Sequence, residues 1–149
     1  MEETTSKSRY KAQLVVKGSS QKKGVDFEEI FSPMVKISSI RVVLGLAASL
    51  NLEAEQLDVK TAFLHGDVEK EIYMDQPQGF EVKGKEDLVC RLRKSLYGLK
   101  QAPRAWNSRI NKYFQQKLFM KCPHEHALYS KVQGGSILLV VLHVDDQIL

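Results

Sequence analysis

Three aspartates are the residues of this sequence with the most specific chemistry. Asp145 and Asp146 stand side by side directly after an apolar run at residues 137–142, and Asp58 lies in the alternating segment 56–60. If these two segments form neighbouring strands of one sheet, the carboxylates would lie close together. Hard cations such as Mg²⁺ bind carboxylate oxygens and keep substrate phosphates in their coordination shell, so this arrangement indicates phosphoryl transfer. Two aspartates in an ordinary turn are the alternative that spacing alone leaves open.

The aspartates need a sheet to position them, and period-two alternation of apolar and polar residues predicts its strands. In the segment 56–60, Leu57 and Val59 face one way, while Asp58 faces the other way with its polar neighbours. The pair Gly134 and Gly135 predicts a tight turn before the strand that runs into the terminal aspartates. Further strands are predicted within four segments: 10–17, 71–80, 87–93 and 126–132.

Helical periodicity predicts two helices that pack on the core. The first begins with Ser38 or Ser39 as its N-cap and has an apolar face made of Ile40, Val43, Leu44, Ala47 and Leu50. The second has Pro103 in its first turn and an apolar face made of Trp106, Ile110, Tyr113 and Leu118. In this register Trp106 is expected to anchor the helix rather than to offer a platform for base stacking.

Charge is distributed unevenly along the chain. The formal net charge is only +4, yet residues 24–82 carry 4 basic and 11 acidic groups, and residues 83–121 carry 11 basic and 2 acidic groups. This asymmetry predicts cation binding by the first segment and a polyanionic partner for the second. A solvated basic surface without a partner is the alternative.

Composition excludes several classes of protein. The cysteines, Cys90 and Cys122, are too few for a disulfide framework or a cysteine zinc site, which favours a reducing compartment. The apolar run 137–142 is too short to cross a bilayer, and residues 1–10 lack the apolar core of a signal peptide. We therefore expect a protein of the cytoplasm or nucleus that is not secreted and has no membrane partner.

Five strings of the sequence resemble the reverse transcriptase domain of copia-type LTR retrotransposons, which is part of their Pol polyprotein. They follow one another in the order expected for that family: RYKAQLVVKG, GVDFEEIFSPMVKISSIRVVLGLAAS, LEAEQLDVKTAFLHGDVEKEIYMDQPQGF, LVCRLRKSLYGLKQAPRAWN and HVDD. The resemblance implies an α+β fold, namely the fingers and palm portion of a right-hand polymerase, with a mainly antiparallel palm sheet packed on helices. It also implies that residues 1–149 form a partial reverse transcriptase domain, truncated before the thumb and just after the Asp-Asp motif.

The resemblance assigns a catalytic metal site to the three aspartates. Asp58 and Asp145 would hold two Mg²⁺ ions, and Asp146, as the second member of the pair, would support the site. Phe63 occupies the place where reverse transcriptases put an aromatic ring under the incoming sugar. A ring there would clash with a 2′-hydroxyl and so favour deoxynucleotides. Plain packing of Phe63 in the core is the alternative.

The resemblance also assigns a nucleotide-binding role to two other segments. Tyr97 and Gly98 would contact the templating base pair and the nucleotide, because glycine permits close approach of the backbone. Polar groups nearby would come from Lys100 and Gln101, although an exposed lysine without a partner is the alternative for Lys100. In the first predicted strand, Lys11 and Lys17 would face the triphosphate and stabilise charge on the transferred phosphoryl group.

The implied activity is RNA-directed DNA synthesis, in which a primer 3′-hydroxyl attacks the α-phosphate of a deoxynucleoside triphosphate. The implied partners are an RNA or DNA template with its primer, dNTP, and the remaining Pol segments, the thumb and ribonuclease H. Two residues depart from the family pattern: His143 stands where a tyrosine is usual, and Gln13 where an arginine is usual. With the stop at Leu149, they favour the alternative, an inactive transposon remnant that at most binds nucleic acid.

Overall fold

Strands and helices follow one another along the chain largely in the predicted order. A computed structural model describes Tyr10, residues 12–144 and residues 146–148. Within these residues the helices are α1 (Ile37–Ser49) and α2 (Ala102–Gln116). The strands are β1 (Gln56–Asp58), β2 (Tyr73–Met74), β3 (Cys90–Arg91), β4 (Met120–Lys121), β5 (Leu128–Gln133), β6 (Ser136–His143) and β7 (Asp146–Ile148).

The main sheet contains five antiparallel strands in the order β1-β7-β6-β5-β4. Its longest pair is the hairpin of β5 and β6, which turns at Gly134 and Gly135 with φ angles of 60° and 81°. Such angles are accessible to glycine at little cost, so the predicted tight turn is confirmed. A separate pair, β2 with β3, confirms the short strands predicted within 71–80 and 87–93.

Helix α2 buries residues spaced four apart: Ala102, Trp106, Ile110 and Phe114. The last three pack on the main sheet, while Ala102 packs in a second, smaller cluster. The prediction that Tyr113 and Leu118 lie on this buried face is wrong, since they are 49% and 78% exposed. Phe114, only 4% exposed, takes their place and lies 4.7 Å from the ring of Tyr129 on β5. Leu118 lies beyond the end of α2 at a φ of 63°, so helical periodicity no longer applies to it.

Helix α1 begins one residue before the predicted cap. Its N-cap is Lys36, whose backbone N–H donates to the Glu125 carboxylate at 3.3 Å. The Ser39 hydroxyl also donates to Glu125, at 2.7 Å, so the expectation that Ser38 or Ser39 caps the helix is wrong. Burial raises the pKa of Glu125, but these hydrogen bonds outweigh it and hold the pKa below its usual value. Glu125 thereby ties the start of α1 to the segment before β5.

The apolar face of α1 is only partly covered. Ile40 and Val43 pack against the main hydrophobic cluster as predicted. Leu44 and Leu50, which the same pattern places on the buried face, are exposed. No residue of α1 is fully buried. Contact with the core is therefore limited to one edge of the predicted face.

The prediction of a strand at residues 10–17 is wrong. The described residues of this segment, Tyr10 and residues 12–17, form no sheet pairing. Their link to the rest of the chain includes the Val16 N–H, which donates to the Tyr97 carbonyl at 2.8 Å. A single 3₁₀ turn, Gly18–Ser20, follows. Alternation favours an extended backbone, but a strand also needs a neighbour with which to pair.

None of the described helices is long and apolar enough to cross a membrane.

Candidate active site

Asp58 and Asp146 lie directly opposite each other on neighbouring strands. In the antiparallel pair of β1 and β7 the backbone partners are Asp58 and Asp146. Side chains of directly opposed residues share one face, with Cβ atoms about 4.5–5.5 Å apart. The condition that the sequence analysis set for a shared site, two neighbouring strands of one sheet, is therefore met for Asp58 and Asp146. Asp145 lies outside the described residues.

The two carboxylates supply oxygen donors of the kind that a hard divalent cation binds. Asp58 is exposed and Asp146 half-buried, and within the described part of the chain neither belongs to an ion pair. Two like charges this close repel each other, and a bound cation removes the repulsion. No cluster of three or more potential metal ligands occurs among the described residues. The oxygen donors fit Mg²⁺, and Asp145, which is predicted to hold the ions with Asp58, is adjacent to Asp146 in sequence.

A cleft of about 760 Å³ opens beside Asp58. Its size is in the range of small-ligand sites. The cleft brings Asp58 together with Tyr97, another predicted site residue, and with Gln13, one of the two departures from the family pattern. Lys60, which the sequence analysis did not select, also lines it and supplies a cation two residues from Asp58. The alternation of residues 56–60 places Lys60 on the same face as Asp58, and this pattern could have identified Lys60 as a site residue.

Phe63 packs beside Tyr97, with ring centroids 4.8 Å apart and ring planes inclined at 48°. Phe63 belongs to the 3₁₀ turn Ala62–His65, which follows β1, and it contacts both hydrophobic clusters of the protein. The fold thus brings two predicted nucleotide contacts together near Asp58. The half-buried ring also fits the alternative of core packing, so its role in sugar selection stays a prediction.

Gly98 makes a close backbone approach to the chain's own segment at Val16. Its φ is 91°, and a Cβ at this position would lie 1.9 Å from the Val16 carbonyl oxygen. Across the same contact, a Cβ on Gly18 would lie 2.0 Å from the Gly98 carbonyl oxygen. The close approach expected of Gly98 exists, and its observed neighbour is protein backbone. Contact of Gly98 with a nucleotide stays a prediction.

Replacing Gly98 by alanine should lower the free energy of unfolding by at least about 2 kcal/mol, because the change combines an unfavourable φ with a steric clash. Chemical denaturation of the two proteins measures the difference. Gly79→Ala is the matched control, since Gly79 has a φ of 83° but a Cβ added there would meet nothing within 4 Å. Equal losses in both variants would show that the contact with Val16 contributes nothing.

Lys100 and Gln101 fasten the loop that follows the Gly18–Ser20 turn. The Lys100 backbone N–H donates to Gln21 Oε1 at 2.8 Å, and its Nζ donates to the Gln21 carbonyl at 2.9 Å. Gln101 accepts from Gln21 Nε2 at 3.1 Å and donates to the Asp26 carbonyl at 3.1 Å. These bonds join segments about 80 residues apart, so both residues have a structural role beside the predicted one.

Of the two lysines predicted to face the triphosphate, Lys17 is exposed, and Lys11 lies outside the described residues.

The turn before Asp146 has an unusual backbone. Strand β6 ends at His143 and β7 begins at Asp146, and these two residues pair with each other. Val144, between them, has a φ of 60°, which for a β-branched residue costs on the order of 1–3 kcal/mol. The indole Nε1 of Trp106 donates a hydrogen bond to the Val144 carbonyl at 2.8 Å. Trp106 is thus the anchor that periodicity predicts and also a polar contact of this turn, which no local pattern indicates.

Opposite charges from the acidic and basic segments meet in the fold. Arg91 pairs with Glu71 at 2.5 Å and Lys94 pairs with Asp67 at 2.5 Å, all at exposed positions. The Lys94 ammonium lowers the pKa of Asp67 by its hydrogen bond and charge, and the more distant cations of α2 add to the effect. Part of the charge asymmetry of the sequence is therefore neutralised across the surface, while the basic side chains of α2 extend the positive charge beyond these pairs.

Comparison with known proteins identifies one family. The family model described as reverse transcriptase (RNA-dependent DNA polymerase) matches residues 1–149. The chain is 57% identical over 142 residues to the retrovirus-related Pol polyprotein from transposon TNT 1-94 of Nicotiana tabacum, which covers 95% of the chain and 11% of that relative. It is 47% identical over 139 residues to the retrovirus-related Pol polyprotein from transposon RE2 of Arabidopsis thaliana. That alignment covers 93% of the chain and 10% of the relative.

The similarity extends to yeast transposons. The Ty1-DR4 Gag-Pol polyprotein of Saccharomyces cerevisiae is 33% identical over 140 residues, which is 94% of the chain and 8% of that relative. The chain thus spans about a tenth of the length of the Pol polyproteins that it matches. No solved structure matches it significantly.

Proposed function

Because the chain belongs to the reverse transcriptase family of copia-type retrotransposon Pol polyproteins, we propose that it carries the nucleotidyl-transfer site of an RNA-directed DNA polymerase. In this proposal the antiparallel sheet and its two helices are palm, and the segment before α1 is fingers. The observation that carries the proposal is the strand register that sets Asp58 opposite Asp146. Two exposed or half-exposed carboxylates in this arrangement suit phosphoryl transfer assisted by a hard cation.

Asp58 and Asp145 would hold two Mg²⁺ ions, and Asp146 would support them. When bound, such ions stabilise the charge on the attacking and leaving oxygens of an in-line displacement. The carboxylates of the chain set where the primer 3′-hydroxyl and the α-phosphate of a dNTP meet. Lys60 lies beside Asp58 in the cleft and is placed to attract the triphosphate before reaction.

The remaining site residues would position the substrates. Phe63 and Tyr97 form an aromatic wall near the cleft, against which a sugar and base could pack. Gly98, Lys100 and Gln101 would act through the loop that they hold. The exposed basic residues of segment 83–121 would bind template and primer phosphates, with affinity that falls as salt rises. The other Pol segments, thumb and ribonuclease H, would be further partners.

One observation favours a second candidate, a remnant that binds nucleic acid without catalysis. His143, in place of the usual tyrosine, is the backbone partner of Asp146. Its imidazole therefore shares a face with the Asp146 carboxylate and could compete with a cation for it.

Primer extension on an RNA template decides between the two candidates. The purified 149-residue chain, with dNTP and Mg²⁺, is expected to lengthen a labelled DNA primer in a template-dependent manner, and EDTA should stop the reaction because the carboxylates then lack their cation. Circular dichroism establishes that the chain is folded in the same buffer. No extension by the folded chain, together with retarded template–primer in a gel-shift assay, would support the remnant.

A further inference from the structure

We propose that Trp106 is a positioning residue for Asp146: its indole N–H holds the β6–β7 turn in the conformation that sets Asp146 opposite Asp58. The inference rests on the proposed function, since it concerns the same metal site. Trp106 itself contacts no substrate in this proposal. It acts through the backbone of Val144.

The turn needs such support because its sequence opposes its shape. Two residues connect β6 to β7, and the first of them, Val144, has a φ of 60°. Two-residue hairpin turns require positive φ at this place and are usually built from glycine or asparagine, whereas valine is among the residues least suited to it. A strained residue persists only when its surroundings determine its conformation. Some contact outside the hairpin must therefore favour this backbone.

Trp106 supplies the contact. Its Nε1 donates to the Val144 carbonyl at 2.8 Å, and that carbonyl belongs to the peptide bond that leads into Asp145. The side chain is 5% exposed and lies within the main hydrophobic cluster. The donor is therefore fixed by packing on α2, and the bond spans 38 residues of sequence. A buried indole N–H needs an acceptor, and here the acceptor is the carbonyl of the residue with the unfavourable φ.

The matched pair of variants is Trp106→Phe and Tyr129→Phe. Each keeps an aromatic ring and removes one hydrogen bond between α2 and the sheet, because the Tyr129 hydroxyl donates to Asn111 Oδ1 at 3.1 Å. Of the two hydrogen bonds, that of Trp106 is the one that reaches the turn. Amide hydrogen exchange of β6 and β7 should quicken about 10-fold in Trp106→Phe relative to Tyr129→Phe, as expected for loss of a local tether.

Binding of Mn²⁺, followed by loss of its free electron paramagnetic resonance signal, is the second measurement. Trp106→Phe should weaken Mn²⁺ binding about 10–100-fold, the range seen for outer partners of metal ligands, while Tyr129→Phe should not change it. Adding Val144→Gly, which accepts the positive φ without strain, should restore most of the affinity of Trp106→Phe. A merely structural tryptophan would not be rescued by a change in the turn.

The outcomes separate the two proposals. Equal exchange rates and equal Mn²⁺ affinities in Trp106→Phe and Tyr129→Phe would overturn the positioning role. Unchanged Mn²⁺ binding in Asp58→Asn, or no binding by the native chain, would overturn the proposed metal site. In that case the exchange comparison would still decide whether Trp106 holds the turn.

Discussion

Primer extension by the Asp58→Asn variant is expected to be at least about 10³-fold slower than by the native chain, because in the proposed site the change neutralises a metal-binding carboxylate worth several kcal/mol of transition-state stabilisation. Asparagine keeps the size of aspartate, and Asp58 is exposed on β1. The fold should therefore be unaffected, which thermal unfolding of both proteins will establish. The rate measured at saturating dNTP and Mg²⁺ is the quantity to compare.

The size of the effect should depend on the role of each carboxylate. Asp146→Asn is expected to lose only about 10–100-fold, since this residue supports the site in the proposed mechanism. Asp75→Asn, which neutralises an exposed aspartate beside β2, is the matched control and should extend primers at the native rate. Native-like extension by Asp58→Asn would remove the basis for a metal site on β1.

The Phe63→Val variant is expected to accept ribonucleotides about 10–200-fold better relative to deoxynucleotides, because removing the ring opens space for a 2′-hydroxyl. Competition between dNTP and rNTP in single-nucleotide extension measures the ratio. Some stability should also be lost, since the Phe63 ring packs at a tilt beside that of Tyr97 and contacts both hydrophobic clusters.

Phe119→Val separates selectivity from stability. Phe119 is likewise half-buried against the main cluster, but its ring lies 5.0 Å from that of Phe114 in the core, whereas the ring of Phe63 lies beside Tyr97, which lines the cleft with Asp58. Both variants should therefore lose packing energy, but only Phe63→Val should change the nucleotide ratio. If neither variant changes the ratio, Phe63 is a core residue and the aromatic wall has no part in sugar selection.

Much of the fold could be read from patterns of neighbouring residues. The glycine pair predicts the β5–β6 turn, and Pro103 with its apolar spacing predicts α2, because turn geometry and helical faces depend on residues a few positions apart. The family could likewise be recognised from contiguous strings, and the comparisons confirm it. These features are local in the chain, so the sequence is sufficient to determine them.

Tertiary packing decided which residues of each sequence pattern are buried, hydrogen-bonded or paired in a sheet. Tyr113 fits the period of α2 as well as Phe114 does, yet only Phe114 points at Tyr129 across the sheet. Ser39 is a good capping residue by type, but its hydroxyl is bound to Glu125, 86 residues away. Residues 12–17 alternate like a strand but join no sheet, and Val16 donates its backbone N–H to the Tyr97 carbonyl outside any strand.

The sequence by itself determined the family, the two helices, the hairpin and the candidate aspartates. Only the tertiary structure decided that β7 places Asp146 opposite Asp58, that Gly98 meets Val16, and that Trp106 reaches Val144. The reason is physical: propensity and periodicity act within a few residues. Register and hydrogen bonds between distant segments depend on how whole elements pack, and a short stretch of sequence does not contain that information.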